Sequence, residues 1–143
     1  MTPNASTPSA EECRATAREA FHFAAAHGFA EVPAQRSPED AFQVWFRRED
    51  EFIVVKGEGW GSAASVALEH ISGIELPVIY FVPPESRPAR KRQGRDLGQL
   101  EQIREQAAWL EVHGGDFLRG DLARFRSIAR PLPPYKKRPT NAA

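Results

Sequence analysis

The chain has 143 residues, 41% of them hydrophobic and 27% charged, the composition of one ordinary globular domain that can bury a core without staples. Lys+Arg and Asp+Glu number 19 each, so the near-neutral balance argues against a protein that holds nucleic acid by bulk charge. No apolar run approaches the roughly 18 residues of a membrane span; the greasiest stretch, Leu76 to Val82, contains Pro77.

The zero net charge hides an asymmetry. Residues 1–80 hold 6 Lys+Arg against 12 Asp+Glu, and residues 81–143 hold 13 against 7. A basic tail is the plain reading; a dipolar surface suited to a basic protein partner is the sharper one. The single cysteine, Cys13, cannot form an internal disulfide, and the N-terminal stretch has no basic region followed by an apolar one. Both point to the cytoplasm as the expected compartment, without a secretory signal.

In chain order, residues 1–8 read as a disordered lead-in. Ser9 and Glu12 have the spacing of a capping box, so a helix is expected over Ala10–His27, with Cys13, Ala17, Ala20, Phe21 and Ala24 inward and Gly28 as its left-handed stop. Glu31–Asp40, with Pro33 and Pro38, reads as a connector. Phe42, Val44 and Phe46 alternate with polar or amphipathic neighbours and predict a half-buried strand. Arg48–Glu51 reads as a polar turn, and Phe52–Lys56 as the returning strand of a hairpin. Gly57 to Gly61 suggest a second turn or bulge. Ser65–Ile71 is expected as a third strand with Val66, Leu68 and His70 on one face, helix being the rival over Ala63–His70. Pro77–Val82 is expected as a fourth, edge strand.

Pro84–Arg95 is a basic Pro/Arg loop. Asp96–Ala129 reads as two amphipathic helices joined at Gly114-Gly115. One carries Leu97, Leu100, Ile103, Ala107 and Leu110, the other Leu118, Leu122, Phe125 and Ile128. The tail from Pro131 cannot continue a helix; Leu132 and Tyr135 could lie along the surface. The expectation is one α+β domain over residues 9–130: a small antiparallel sheet of three to four strands packed against an N-terminal helix and a C-terminal helix pair, followed by a Pro/Lys-rich tail over 131–143.

Catalytic signals are weak. Gly57-x-Gly59-x-Gly61 lacks the Lys-Ser/Thr of a phosphate loop and the spacing of a dinucleotide site. His22, His27, His70 and His113 form no helical ligand pair, so no metal is expected; His113 with Asp116 and Asp121 is the one zinc set conceivable in space. Cys13 reads as a small core residue, and Asp116 as the cap of the last helix. The reading is no enzyme and no cofactor. A site built only in space from His70, Glu58 or His113 would be the exception. Arg87, Arg90, Lys91, Arg92 and Arg95 could touch phosphates, but a solvated basic loop is the simpler account.

The Gly28-Phe29 stop, the VWFRREDEFIVVKGEG hairpin and the AAWLEVHGGDFLRGDLARF string resemble a loose group of small bacterial α+β immunity proteins found beside contact-delivered toxins. The likeness spans roughly residues 14–129. It implies a non-enzymatic protein that neutralises a cognate toxin by occlusion. The contact residues expected are Trp45, Glu49, Asp50, Glu51, Glu58 and Trp60. An acidic hairpin face would suit a basic toxin. A homodimer is a further partner option, and nucleic acid and membrane are disfavoured. The alternative is a regulatory or adaptor module of a larger assembly, contacting nucleic acid through the basic loop.

Overall fold

The computed structural model describes residues 8–35, 42–58, 63–87 and 98–133, with Glu58 by its backbone alone. The chain is α+β. Its antiparallel sheet has six strands in the order β1-β2-β3-β4-β5-β6: Ala30–Val32, Gln43–Arg48, Glu51–Glu58, Ala63–His70, Ile74–Pro77 and Arg130–Pro131. The three to four strands expected become six because short strands extend both edges, three residues at β1 and two at β6. No described helix is long and apolar enough to cross a membrane.

Helix α1 spans Ala10–Ala20 and starts as its sequence dictates. The Glu12 amide donates to Ser9 Oγ at 3.0 Å, and the Ser9 amide donates to Glu12 Oε1 at 2.8 Å. The helix is shorter than expected: His22–His27 is a 3₁₀ segment, ended by Gly28 in the left-handed region. Cys13, Ala17, Phe21 and Ala24 are buried as expected.

Strands β2, β3 and β4 form the centre. Val44 and Phe46 on β2, Ile53 and Val55 on β3, and Val66 and Leu68 on β4 point into one core, which they share with Cys13 and Ala17 of α1 and with Ile103, Leu110, Phe117 and Phe125 of the C-terminal helices. The Ala63–His70 segment is therefore strand, not helix. Gly57 lies within β3 rather than in a turn; a Cβ there would meet the Phe42 ring at 2.7 Å. The expected fourth strand is displaced. It runs over Ile74–Pro77, and Val78–Phe81 is a 3₁₀ turn that buries Val78 and Phe81 together. It is also not the edge, because β6 pairs beside it.

Helix α2 spans Gln99–His113 and buries Ile103, Ala107 and Leu110. Leu97 lies outside the described residues. The second helix of the expected pair is broken in two: α3 covers Gly115–Leu118 and α4 covers Ala123–Ile128. Gly120, with φ of 93°, turns the chain between them. The break rotates the apolar stripe, so Phe117 is fully buried against Phe29, Phe81 and Phe125, whereas Ile128 is 45% exposed. Leu132 is buried, and its amide donates to the Gly73 carbonyl at 2.9 Å.

Asp116 does not cap the helix. The cap position is Gly114, and it is Asp121 Oδ1 that accepts from the Ala123 amide at 3.2 Å. Asp116 instead takes a two-pronged pair from Arg124, at 3.0 and 2.7 Å; Arg124 also donates to the His113 carbonyl and lies 4.2 Å over the Phe81 ring. Partial burial alone would raise the Asp116 carboxyl, but the hydrogen bonds from Arg124 and the Phe117 amide outweigh it and hold the group below its usual range. A depressed carboxylate contributes stability that is present above its unfolded pKa, about 3.9, and is lost as pH falls through the folded value. The stability gap between the wild type and Asp116→Asn, measured by urea unfolding across an acid series, should therefore shrink below about pH 4. A gap that stays constant or widens on acidification would contradict this.

Candidate functional site

The residues that organise one end of the sheet start with Arg48, the last residue of β2. Its Nε donates to Glu51 Oε1 at 3.0 Å. Its terminal nitrogens donate to the carbonyls of His27 at 3.1 Å, Phe117 at 3.0 Å and Leu118. The guanidinium lies 4.5 Å over the Phe29 ring. Those carbonyls stand at the ends of the 3₁₀ segment and of α3; those of His27 and Leu118 lie where helical partners run out, while that of Phe117 is shared with the Gly120 amide at 3.0 Å. One side chain thus joins the sheet, the N-terminal helical layer and the C-terminal layer.

The Glu49-Asp50 turn sits immediately beyond this junction. Arg48 and Glu51 face each other across it, and both turn residues are exposed. Glu49 is held at φ of 51°, and its carbonyl accepts from Arg47 Nε. The Asp50 carbonyl accepts from the Ile71 amide at 2.9 Å, which ties this turn to the Ile71–Gly73 turn between β4 and β5. Ile71 is 46% exposed beside the acids. Behind it, His70 Nδ1 accepts from the Ser72 amide at 3.0 Å and lies 2.8 Å from Ser72 Oγ. The result is an acidic tip with an apolar neighbour on a fixed backbone.

The other expected contact residues are placed differently. Trp45 is 0% exposed, which corrects its assignment as a contact. It lies on the second face of the sheet, edge-on to Phe52 at 5.5 Å, with Val54 completing the cluster and its indole donating to Gln43 at 2.9 Å. Glu51 is also corrected: it is 8% exposed and neutralised by Arg48. Glu58 ends β3, seven residues beyond Glu51, so the two lie about 23 Å apart at the usual strand rise. The hairpin face therefore does not gather Glu49–Glu51 with Glu58. For the same reason His70, opposite Glu51, does not converge with Glu58, opposite Ala63. Trp60 lies outside the described residues.

Of the basic set, Arg87 donates to the Val82 carbonyl at 2.8 Å and lies 5.2 Å over the Tyr80 ring. Arg90, Lys91, Arg92 and Arg95 lie outside the described residues. No group of three or more His, Cys, Asp or Glu that could hold a metal occurs among the described residues. The carboxylates of the zinc set considered from sequence are used otherwise, with Asp116 on Arg124 and Asp121 accepting from the Ala123 amide that opens α4. Burial raises the Cys13 thiol, whose Sγ donates to Gln99 Oε1 at 3.3 Å.

Sequence reasoning missed three glutamines on α2. Gln99 Nε2 donates to the Ala63 carbonyl at 2.6 Å, Gln102 Oε1 accepts from the Ala64 amide at 2.9 Å, and Gln106 Oε1 accepts from the Val66 amide at 2.9 Å. Gln106 Nε2 also donates to the Ala64 carbonyl at 2.9 Å. Pairing between β5 and β4 ends at Ala67↔Pro77, so these side chains satisfy backbone groups beyond the reach of β5. The signal was the 99, 102, 106 spacing beside the apolar stripe.

Comparison of the chain with protein-family models, with curated proteins and with solved structures found no match.

Arg48 is 14% exposed by side chain and serves four acceptors. Lysine keeps the charge but has no planar fork, so Arg48→Lys should lower unfolding stability by about 2 kcal/mol in denaturant titration. A loss below about 0.5 kcal/mol, the scatter of ordinary surface changes, would show that the junction is not needed.

Proposed function

We propose that this chain is a non-enzymatic binding protein of the immunity type, acting in the cytoplasm, that neutralises a cognate toxin by occluding it. The observation that carries the reading is the Glu49-Asp50 turn: two exposed acids on a backbone anchored through Arg48 and Ile71, beside an exposed apolar side chain. Charge on a fixed tip steers a basic partner and fixes its register. A neighbouring Ile71 supplies the apolar contact that charge alone lacks. The contact surface is thereby narrowed from the whole hairpin to its Glu49-Asp50 end, together with the Ile71–Gly73 turn.

The test begins with capture of a partner by tagged protein from lysate of the native source, with the bound proteins identified by mass spectrometry. One stoichiometric protein with a toxin domain is expected; recovery of nucleic acid alone would favour the adaptor alternative instead. With that partner in hand, the double variant Glu49→Lys, Asp50→Lys should keep its circular dichroism and associate at least about tenfold more slowly at low salt. An unchanged association rate would remove the tip from the contact.

A further inference from the structure

A groove of about 210 Å³ runs between α2 and β4, lined by Ser65, Ile79, Gln102, Glu105, Gln106 and Trp109 with the neighbouring aliphatic residues. Its floor is fixed, because Gln102 and Gln106 are bonded to the backbone of Ala64 and Val66. Trp109 and Glu105 are both half-buried and stand four residues apart on α2, so they are neighbours on one helix face. Among the described residues, Glu105 has no hydrogen bond or ion pair with another side chain. Its helical neighbours at three and four residues, Glu101, Gln102, Ala108 and Trp109, include no cation. A carboxylate is thus drawn partly out of water, beside the Trp109 indole and an aliphatic wall, without a counter-charge among the described residues.

We propose that this groove is a subsite for an arginine side chain of the protein partner; the proposal rests on the reading that the chain binds a protein. The methylene stem of arginine suits the wall of Val66, Pro77 and Ile79. Its planar guanidinium can stack on Trp109 while donating to both oxygens of Glu105. Lysine fits less well, since a compact ammonium neither stacks nor bridges two oxygens. A cationic side chain is also what a partner steered by an acidic tip would carry.

The test is a nuclear magnetic resonance titration of the full chain with Nα-acetyl-arginine methylamide, which needs no toxin. Saturable shifts are expected at the Trp109 indole and at the amides of Ala64–Val66. Glu105→Gln should weaken binding about tenfold, as for loss of a hydrogen bond to a charged group. Trp109→Leu should weaken it about threefold, and the lysine analogue should bind several-fold less well. No saturable shift, or equal shifts with the neutral citrulline analogue or with Glu105→Gln, would overturn the proposal. Tighter binding of free arginine than of the capped form would also overturn it, by marking a small-molecule site. Failure here leaves the toxin reading to its capture experiment, and an empty capture leaves a positive titration standing as a cation site.

Discussion

The guanidinium of Arg48 is the interaction on which the arrangement depends. Its acceptors come from positions 21, 69 and 70 residues away, besides Glu51 in the same hairpin. The His27 and Leu118 carbonyls lie where helical bonding has run out, and leaving either unpaired beside the core would cost about 1–3 kcal/mol, whereas the Phe117 carbonyl also accepts from the Gly120 amide at 3.0 Å. The charge itself is neutralised by Glu51 and shielded by the Phe29 ring. A junction of this kind does more than stabilise. It sets where the hairpin emerges and ties down the residues that flank the Glu49-Asp50 turn. Binding through a preorganised turn avoids the entropy of ordering it at the interface.

The opposite side of the core solves a different problem. Strand β4 outruns β5, because Pro77 leads into a 3₁₀ turn that packs Val78 and Phe81 inward. The orphaned backbone of Ala63–Val66 is met by the glutamines of α2. This closes the strand to further pairing and leaves a walled groove above it. The two ends of the sheet therefore differ in character: one offers exposed charge on a tight turn, the other a recess whose Glu105 carboxylate has no cation partner among the described residues.

Local features were legible in the sequence wherever a short-range rule governed them. The Ser9/Glu12 capping box, the Gly28 stop, the inward alternation of Val44 and Phe46, and the exposed Glu49-Asp50 turn all follow from neighbours a few residues apart. What escaped depends on long-range packing. Trp45 was expected to face a partner because alternation assigns it to the outer side; the sheet, however, buries residues on both faces. Phe117 was missed because the stripe was read as one continuous helix, which Gly120 interrupts. Ile71 joined the candidate site only through its bond to Asp50 in another hairpin. The role of the glutamines was not legible, since nothing local says that β5 ends early. Arg48 read as one charge in a polar turn, and three of its partners are distant in sequence.

The most direct measurement of the central claim is native-state hydrogen exchange at the Ile71 amide, which donates to the Asp50 carbonyl at the tip. If the Arg48 junction holds this end of the sheet, that amide should exchange as slowly as the interior amides of β3 and β4, opening only with the whole fold. Exchange near the rate of an unstructured peptide would contradict the account, because the tip would then be a frayed loop with no conformation to present.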